Sequence, residues 1–117
     1  MEELVTSLQK KMERLLKEAA EIEVELSRQD GAIAGLPHYS TIEGRAHELG
    51  RKLSQEVQAR QMGELIAQRA GTAKCPGCST RCEVNPRKRR VASIDGTVAI
   101  QEARGHCPNC RRAFFPR

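Results

Sequence analysis

Four cysteines carry the most specific chemistry in this 117-residue chain: Cys75-Pro-Gly-Cys78 is answered, 28 residues further on, by Cys107-Pro-Asn-Cys110. A Cys-x-x-Cys turn aims two sulfurs at one ion while nearby backbone N–H groups soften the thiolate charge. Two such knuckles complete a tetrahedron, so the pattern predicts one structural Zn2+ per chain on Cys75, Cys78, Cys107 and Cys110. Spacing alone does not separate zinc from iron, since rubredoxin-like sites use similar pairs. Such electron carriers are usually acidic and wrap the metal in aromatic side chains. This chain is basic and 3% aromatic, which argues for zinc. A closed four-thiolate shell leaves no position for a water or substrate, so catalysis at the metal is not expected.

The second feature is charge. Residues 71–117 hold ten Lys or Arg against Glu83, Asp95 and Glu102, a net +7, whereas residues 1–70 sum to −2. Arg87-Lys88-Arg89-Arg90 is the densest run, and Arg104, Arg111 and Arg112 follow. Adjacent cations repel one another and favour solvent or phosphate, so a polyanion, DNA above all, is the expected partner of these seven residues. Phosphate contacts of this kind give affinity without sequence choice. The plainer alternative is a solvated charge run.

Other chemistry-bearing residues read as ordinary. Cys82 is expected to be a free thiol. His106 could stand in as a ligand but is expected at the surface of the second knuckle, and His38 and His47 are ordinary polar positions. No Ser/His/Asp arrangement, phosphate loop or carboxylate cluster stands out, so no catalytic residue is assigned and the chain is not expected to be an enzyme or to take a small-molecule substrate.

These groups need a scaffold. The chain has Tyr39, Phe114 and Phe115 as its aromatic inventory and no Trp. A large core is therefore excluded, and the metal is the expected staple. No apolar run reaches membrane-span length and Met1-Glu2-Glu3 is polar, so a cytoplasmic protein without membrane contact is expected; free cysteines in metal spacing agree with a reducing compartment.

The fold class predicted is α+β: an antiparallel, coiled-coil-like helical hairpin over 1–70, then a zinc ribbon with a β-hairpin over 71–117. In residues 2–29, Val5, Leu8, Met12, Leu15, Ala19, Ile22 and Leu26 recur at alternating steps of three and four, an a/d stripe over three heptads. Gly31 ends that helix through a left-handed cap. Ser40-Thr41-Ile42-Glu43 reads as a capping box opening a second helix to about residue 70. Its apolar positions Ile42, Ala46, Leu49, Leu53, Val57, Met62, Leu65 and Ile66 are regular to Val57 and then shift, so the stripe drifts around the helix. The second helix is the nearest cover for the first seam; a hairpin still exposes much of its seam, so self-association as a dimer is also expected. Gly71–Lys74 reads as a linker, and Arg89–Ile94 and Thr97–Ala103 as strands joined by Asp95-Gly96. Phe114 or Phe115 is expected to cover the sheet.

Thr41 to Pro116 resembles the N-terminal region of bacterial insertion-sequence transposases of the Kra type. The resemblance rests on Gly44-Arg45, Cys75-Pro-Gly-Cys78, Arg90-Val91, Asp95-Gly96-Thr97-Val98, Cys107-Pro-Asn-Cys110 and Phe114-Phe115-Pro116, in that order. It implies a zinc ribbon that helps to bind transposon DNA ahead of a catalytic domain. The chain stops at Arg117, where such a transposase would continue, so no strand-transfer activity is expected in it. The other function class that fits is a protein-interaction adaptor, a coiled coil plus ribbon as in regulators of transcription or secretion. The hairpin tip from Asp30 to Tyr39 has a single acidic residue, which counts against the version that enters a polymerase channel.

Overall fold

A computed structural model describes residues 1–31, 33 and 35–116. The elements in chain order are α1 (Glu2–Gln29), α2 (Tyr39–Arg69), β1 (Gly71–Lys74), β2 (Arg81–Ser93), β3 (Gly96–Cys107) and β4 (Arg112–Phe114). The four strands form one antiparallel sheet in sequential order, confirming the α+β class. The chain divides into two compact units, Met1–Ala46 and His47–Arg117. The division falls inside α2, so most of that helix belongs with the sheet rather than with α1. Among the described residues no helix is long and apolar enough to cross a membrane.

In the first unit, α1 carries Glu2 and Glu3 in its first turn and Arg28 in its last. Both ends thereby complement the helix dipole. It stops where Asp30 closes the last turn and Gly31 takes φ 73°, the left-handed step that glycine makes at little cost. The start of α2 meets α1 through Arg45. Its guanidinium reaches Glu23 Oε1 at 2.8 Å and Asp30 Oδ2 at 3.0 Å, beside the buried Ser27. The face of α1 used here is therefore Glu23–Ser27, to one side of the a/d stripe. The stripe itself is exposed: Val5 49%, Leu8 55%, Met12 54%, Leu15 44%, Ile22 60% and Leu26 52%.

The helix α2 begins before the expected capping box. His38, not Ser40, serves the N-terminus: the Ser40 N–H donates to His38 Nδ1 at 3.2 Å, and the Thr41 N–H to the His38 carbonyl at 3.0 Å. An imidazole nitrogen does here what a hydroxyl was expected to do.

In the second unit, the stripe that α2 turns to the sheet matches its apolar periodicity at Met62 and Ile66 but not at Leu53 and Val57. Ser54, Gln55, Gln58, Ala59, Met62 and Ile66 are wholly or partly covered, while Leu53 and Val57 remain 46% and 45% exposed. The reason is what the sheet offers. At the β2–β3 turn, Ser54 Oγ donates to the Asp95 carboxylate and Gln55 Nε2 to the Asp95 carbonyl at 2.8 Å. Further along, Ile66 closes on Val84 and Ala103, with Ala73 against them.

The strands run longer than predicted. Gly71–Lys74, read as a linker, is β1, pairing Gly71 with Val84 and Lys74 with Arg81. The β2–β3 ladder runs from Val84↔Gly105 to Ser93↔Gly96. Pro86 sits inside β2 because β1 has already ended opposite Val84. Past that point β2 is an edge, where a missing N–H costs no ladder bond. The turn residues are Ile94 and Asp95, one step earlier than predicted. Only Gly96 takes positive φ (93°), which makes the turn the type I form followed by a left-handed glycine. Ser93 Oγ accepts the Asp95 N–H at 3.1 Å and secures it.

Candidate metal centre and basic groove

Each knuckle lies at a strand boundary, the first between β1 and β2 and the second between β3 and β4. Both fold the same way. The Ser79 N–H donates to the Cys75 carbonyl at 2.9 Å and the Arg111 N–H to the Cys107 carbonyl at 2.8 Å. Both residues are left-handed, at φ 63° and 56°, and they are the only non-glycine residues with positive φ among those described. The Gly77 N–H donates to Cys75 Sγ at 3.4 Å, and the Cys110 N–H to Cys107 Sγ at 3.3 Å. The β2–β3 ladder brings the knuckles together.

The result is a four-sulfur cluster. Cys75 and Cys110 Sγ are 3.8 Å apart, Cys78 and Cys107 Sγ 3.5 Å, and all four sulfurs lie within 4.8 Å of one another. A tetrahedron with metal–sulfur bonds of about 2.3 Å has edges of about 3.8 Å. The sulfurs thus already stand at coordination distance around one point, and the residues present fit one ion.

Electrostatics agree. The Thr80 hydroxyl 3.0 Å from Cys78 Sγ, with the Thr80 N–H and the Asn109 side chain, pulls the Cys78 thiol down to about 5. Cys75 is lowered by the backbone N–H groups of Cys78 and Gly77. Cys110 is pushed up to about 12 by its neighbours Cys78 and Cys75 and by burial. Without a cation, four sulfurs so close cannot all carry charge. A divalent ion supplies the compensation that lets all four ionise.

Cys82 stands outside this set. It is buried against Cys75 and Cys107, its thiol donates to the Thr80 carbonyl at 3.3 Å, and burial pushes it up. It packs rather than coordinates. His106 is exposed on β3 and His47 on α2.

Phe114 covers the sheet: its ring lies on Gly105, its partner in the β3–β4 ladder. Phe115 is 58% exposed.

The chain matches no protein-family model, no curated protein and no solved structure.

The basic residues separate by strand alternation. On β2, Arg87 and Arg89 point to one face, Lys88 and Arg90 to the other. Cross-strand partners share a face, so Arg104, opposite Asn85, joins Arg87 and Arg89. Arg89 Nη1 is held by Glu102 Oε2 at 3.2 Å. Arg81, Arg87 and Arg104 line one shallow groove of about 620 Å³ with Glu83, Asn85 and His106. Of the seven cations singled out in the sequence, two therefore reach this groove. Arg111 lies in the second knuckle and Arg112 on β4. Arg81 was missed, and the signal for it is alternation: stepping back by twos from Arg87 through Asn85 and Glu83 reaches it, once β2 is known to extend that far.

Proposed function

We propose that residues 71–117 are a zinc ribbon that binds nucleic acid through the Arg81–Arg87–Arg104 groove and has no catalytic role. The observation that carries this reading is the convergence of three arginines, separated by up to 23 positions in sequence, on one face of the β2–β3 ladder beside the four-sulfur cluster. Zn2+ is the ion proposed: four thiolates at tetrahedral spacing suit it, and the basic, aromatic-poor surroundings do not suit an iron electron carrier. Its task is to hold the ends of a sheet whose buried apolar set is only Ile66, Val84, Val98, Ala103 and three cysteines. Duplex DNA is the form proposed, because the resemblance of Thr41 to Pro116 to transposase ribbons implies transposon DNA as the partner. Guanidinium groups along a groove meet successive phosphates and release counterions, so binding falls steeply with salt.

The test is fluorescence anisotropy on a labelled duplex over a salt series, with zinc content checked for every variant. R81A, R87A and R104A should each weaken binding at low salt and reduce the salt slope by about one. K88A and R90A, on the opposite face, should change it less. Equal losses from both faces, or no binding at low salt, would refute the groove.

A further inference from the structure

The a/d seam of α1 is a surface of its own, and its occupant can be read from charge and register. The face of α1 that meets its own chain is Glu23–Ser27, fixed by Arg45. Val5, Leu8, Met12, Leu15, Ile22 and Leu26 lie off that face and are about half exposed. We infer that this seam pairs with the same seam of a second copy, the two helices running antiparallel.

The register follows from the heptads. With Val5, Met12, Ala19 and Leu26 at a, and Leu8, Leu15 and Ile22 at d, antiparallel packing sets each a against a d of the other copy. Val5 then faces Ile22, Leu8 faces Ala19, and Met12 faces Leu15. Each of these six residues is used, and the small Ala19 meets a large side chain. Three heptads is the length at which such a stripe begins to specify a coiled coil.

The flanking positions choose the orientation. Antiparallel pairing brings each Lys11 opposite Glu18 of the other copy, two attractive contacts by symmetry. Parallel pairing sets Lys11 against Leu16 and Glu18 against Glu23, one wasted charge and one repulsion. The like-charged flank of the antiparallel pair is Glu2 against Glu23, and Glu23 is the carboxylate that Arg45 already neutralises at 2.8 Å. Within its own helix Glu18 pairs with Arg14 at 3.9 Å.

Equilibrium sedimentation of the full, zinc-loaded chain tests this, with helicity and zinc content measured on each variant. The expected result is a wild-type dimer, K11E and E18K each associating roughly fivefold more weakly, and K11E/E18K restored to near wild type. L8E/L15E should be monomeric with its zinc retained. Three outcomes overturn the inference. The first is a wild-type monomer at about 100 µM, which would mean the seam is covered within the chain. The second is E18K associating more tightly than wild type, which marks a parallel pair. The third is a double variant no stronger than the singles. Loss of DNA binding does not bear on it, and loss of dimerisation does not bear on the groove.

Discussion

The ring of Phe114 rests on the backbone of Gly105: a Cβ built on that glycine would come within 2.5 Å of Cζ and 2.9 Å of both Cε atoms. The contact joins β3 to β4 two residues before Cys107, so it braces the second knuckle. G105A should cost about 1–3 kcal/mol by forcing the ring out. Denaturant unfolding of the zinc-loaded protein measures it. Combining G105A with F114L, which vacates the space, should cost less than the sum of the single changes, because the two residues are in contact.

The cysteines should divide four to one. C75S, C78S, C107S and C110S each remove a sulfur from the cluster and should abolish stoichiometric metal binding together with the folding of the sheet. C82A removes a thiol that packs against the ligands without joining them. It should retain one metal per chain and lose only about 1–2 kcal/mol of stability. Elemental analysis of the purified variants separates the two classes, and a metal-free C82A would overturn the assignment.

Helix α2 has glycines where it needs none. Nothing lies within 4 Å of a Cβ built on Gly44, Gly50 or Gly63, and none has positive φ. Mid-helix glycine costs roughly 0.5–1 kcal/mol relative to alanine. G44A, G50A and G63A should each stabilise the unit that contains them by that amount, read as a rise in melting temperature. A fall would show that one of these positions is approached closely by another chain.

Some of this architecture was legible in the residues and some was not, for reasons that differ by element. The clustering of the four cysteines was legible because a site for one metal ion fixes both residue type and local spacing. The left-handed Ser79 and Arg111 were not, since nothing in those residue types asks for positive φ; the knuckle imposes it to bring the Cys75 and Cys107 carbonyls onto their N–H groups. The first half of β2 was hidden because Asn85, Pro86 and the basic run lack strand character, and pairing with β3 overrides that preference. The helices were legible by period, but on α2 the period marked the contact face at Met62 and Ile66 and missed it at Leu53 and Val57. The end of that stripe nearest the β2–β3 turn is polar because Asp95 offers hydrogen-bonding groups to Ser54 and Gln55 there.

Acid should release the metal, and the sign follows from the sulfurs. Unfolded thiols titrate near 8.5. A thiol lowered in the fold stabilises it above that range, and the contribution disappears as pH falls toward the lowered value. Cys78 is lowered to about 5, chiefly by Thr80, and Cys75 is lowered as well. Cys110 behaves oppositely on its own, pushed up to about 12, so it is the ligand that depends most on the cation for its ionised form. Protons compete with metal for all four sulfurs, and the zinc-loaded chain should hold its ion through neutral pH and release it as pH falls to about 5 and below. A chromogenic zinc indicator reads the release directly. T80V, which removes the hydroxyl beside Cys78 Sγ, should move the release midpoint to higher pH while leaving the stoichiometry at neutral pH unchanged. A midpoint unmoved by T80V would show that this hydroxyl does not set the acid stability of the site.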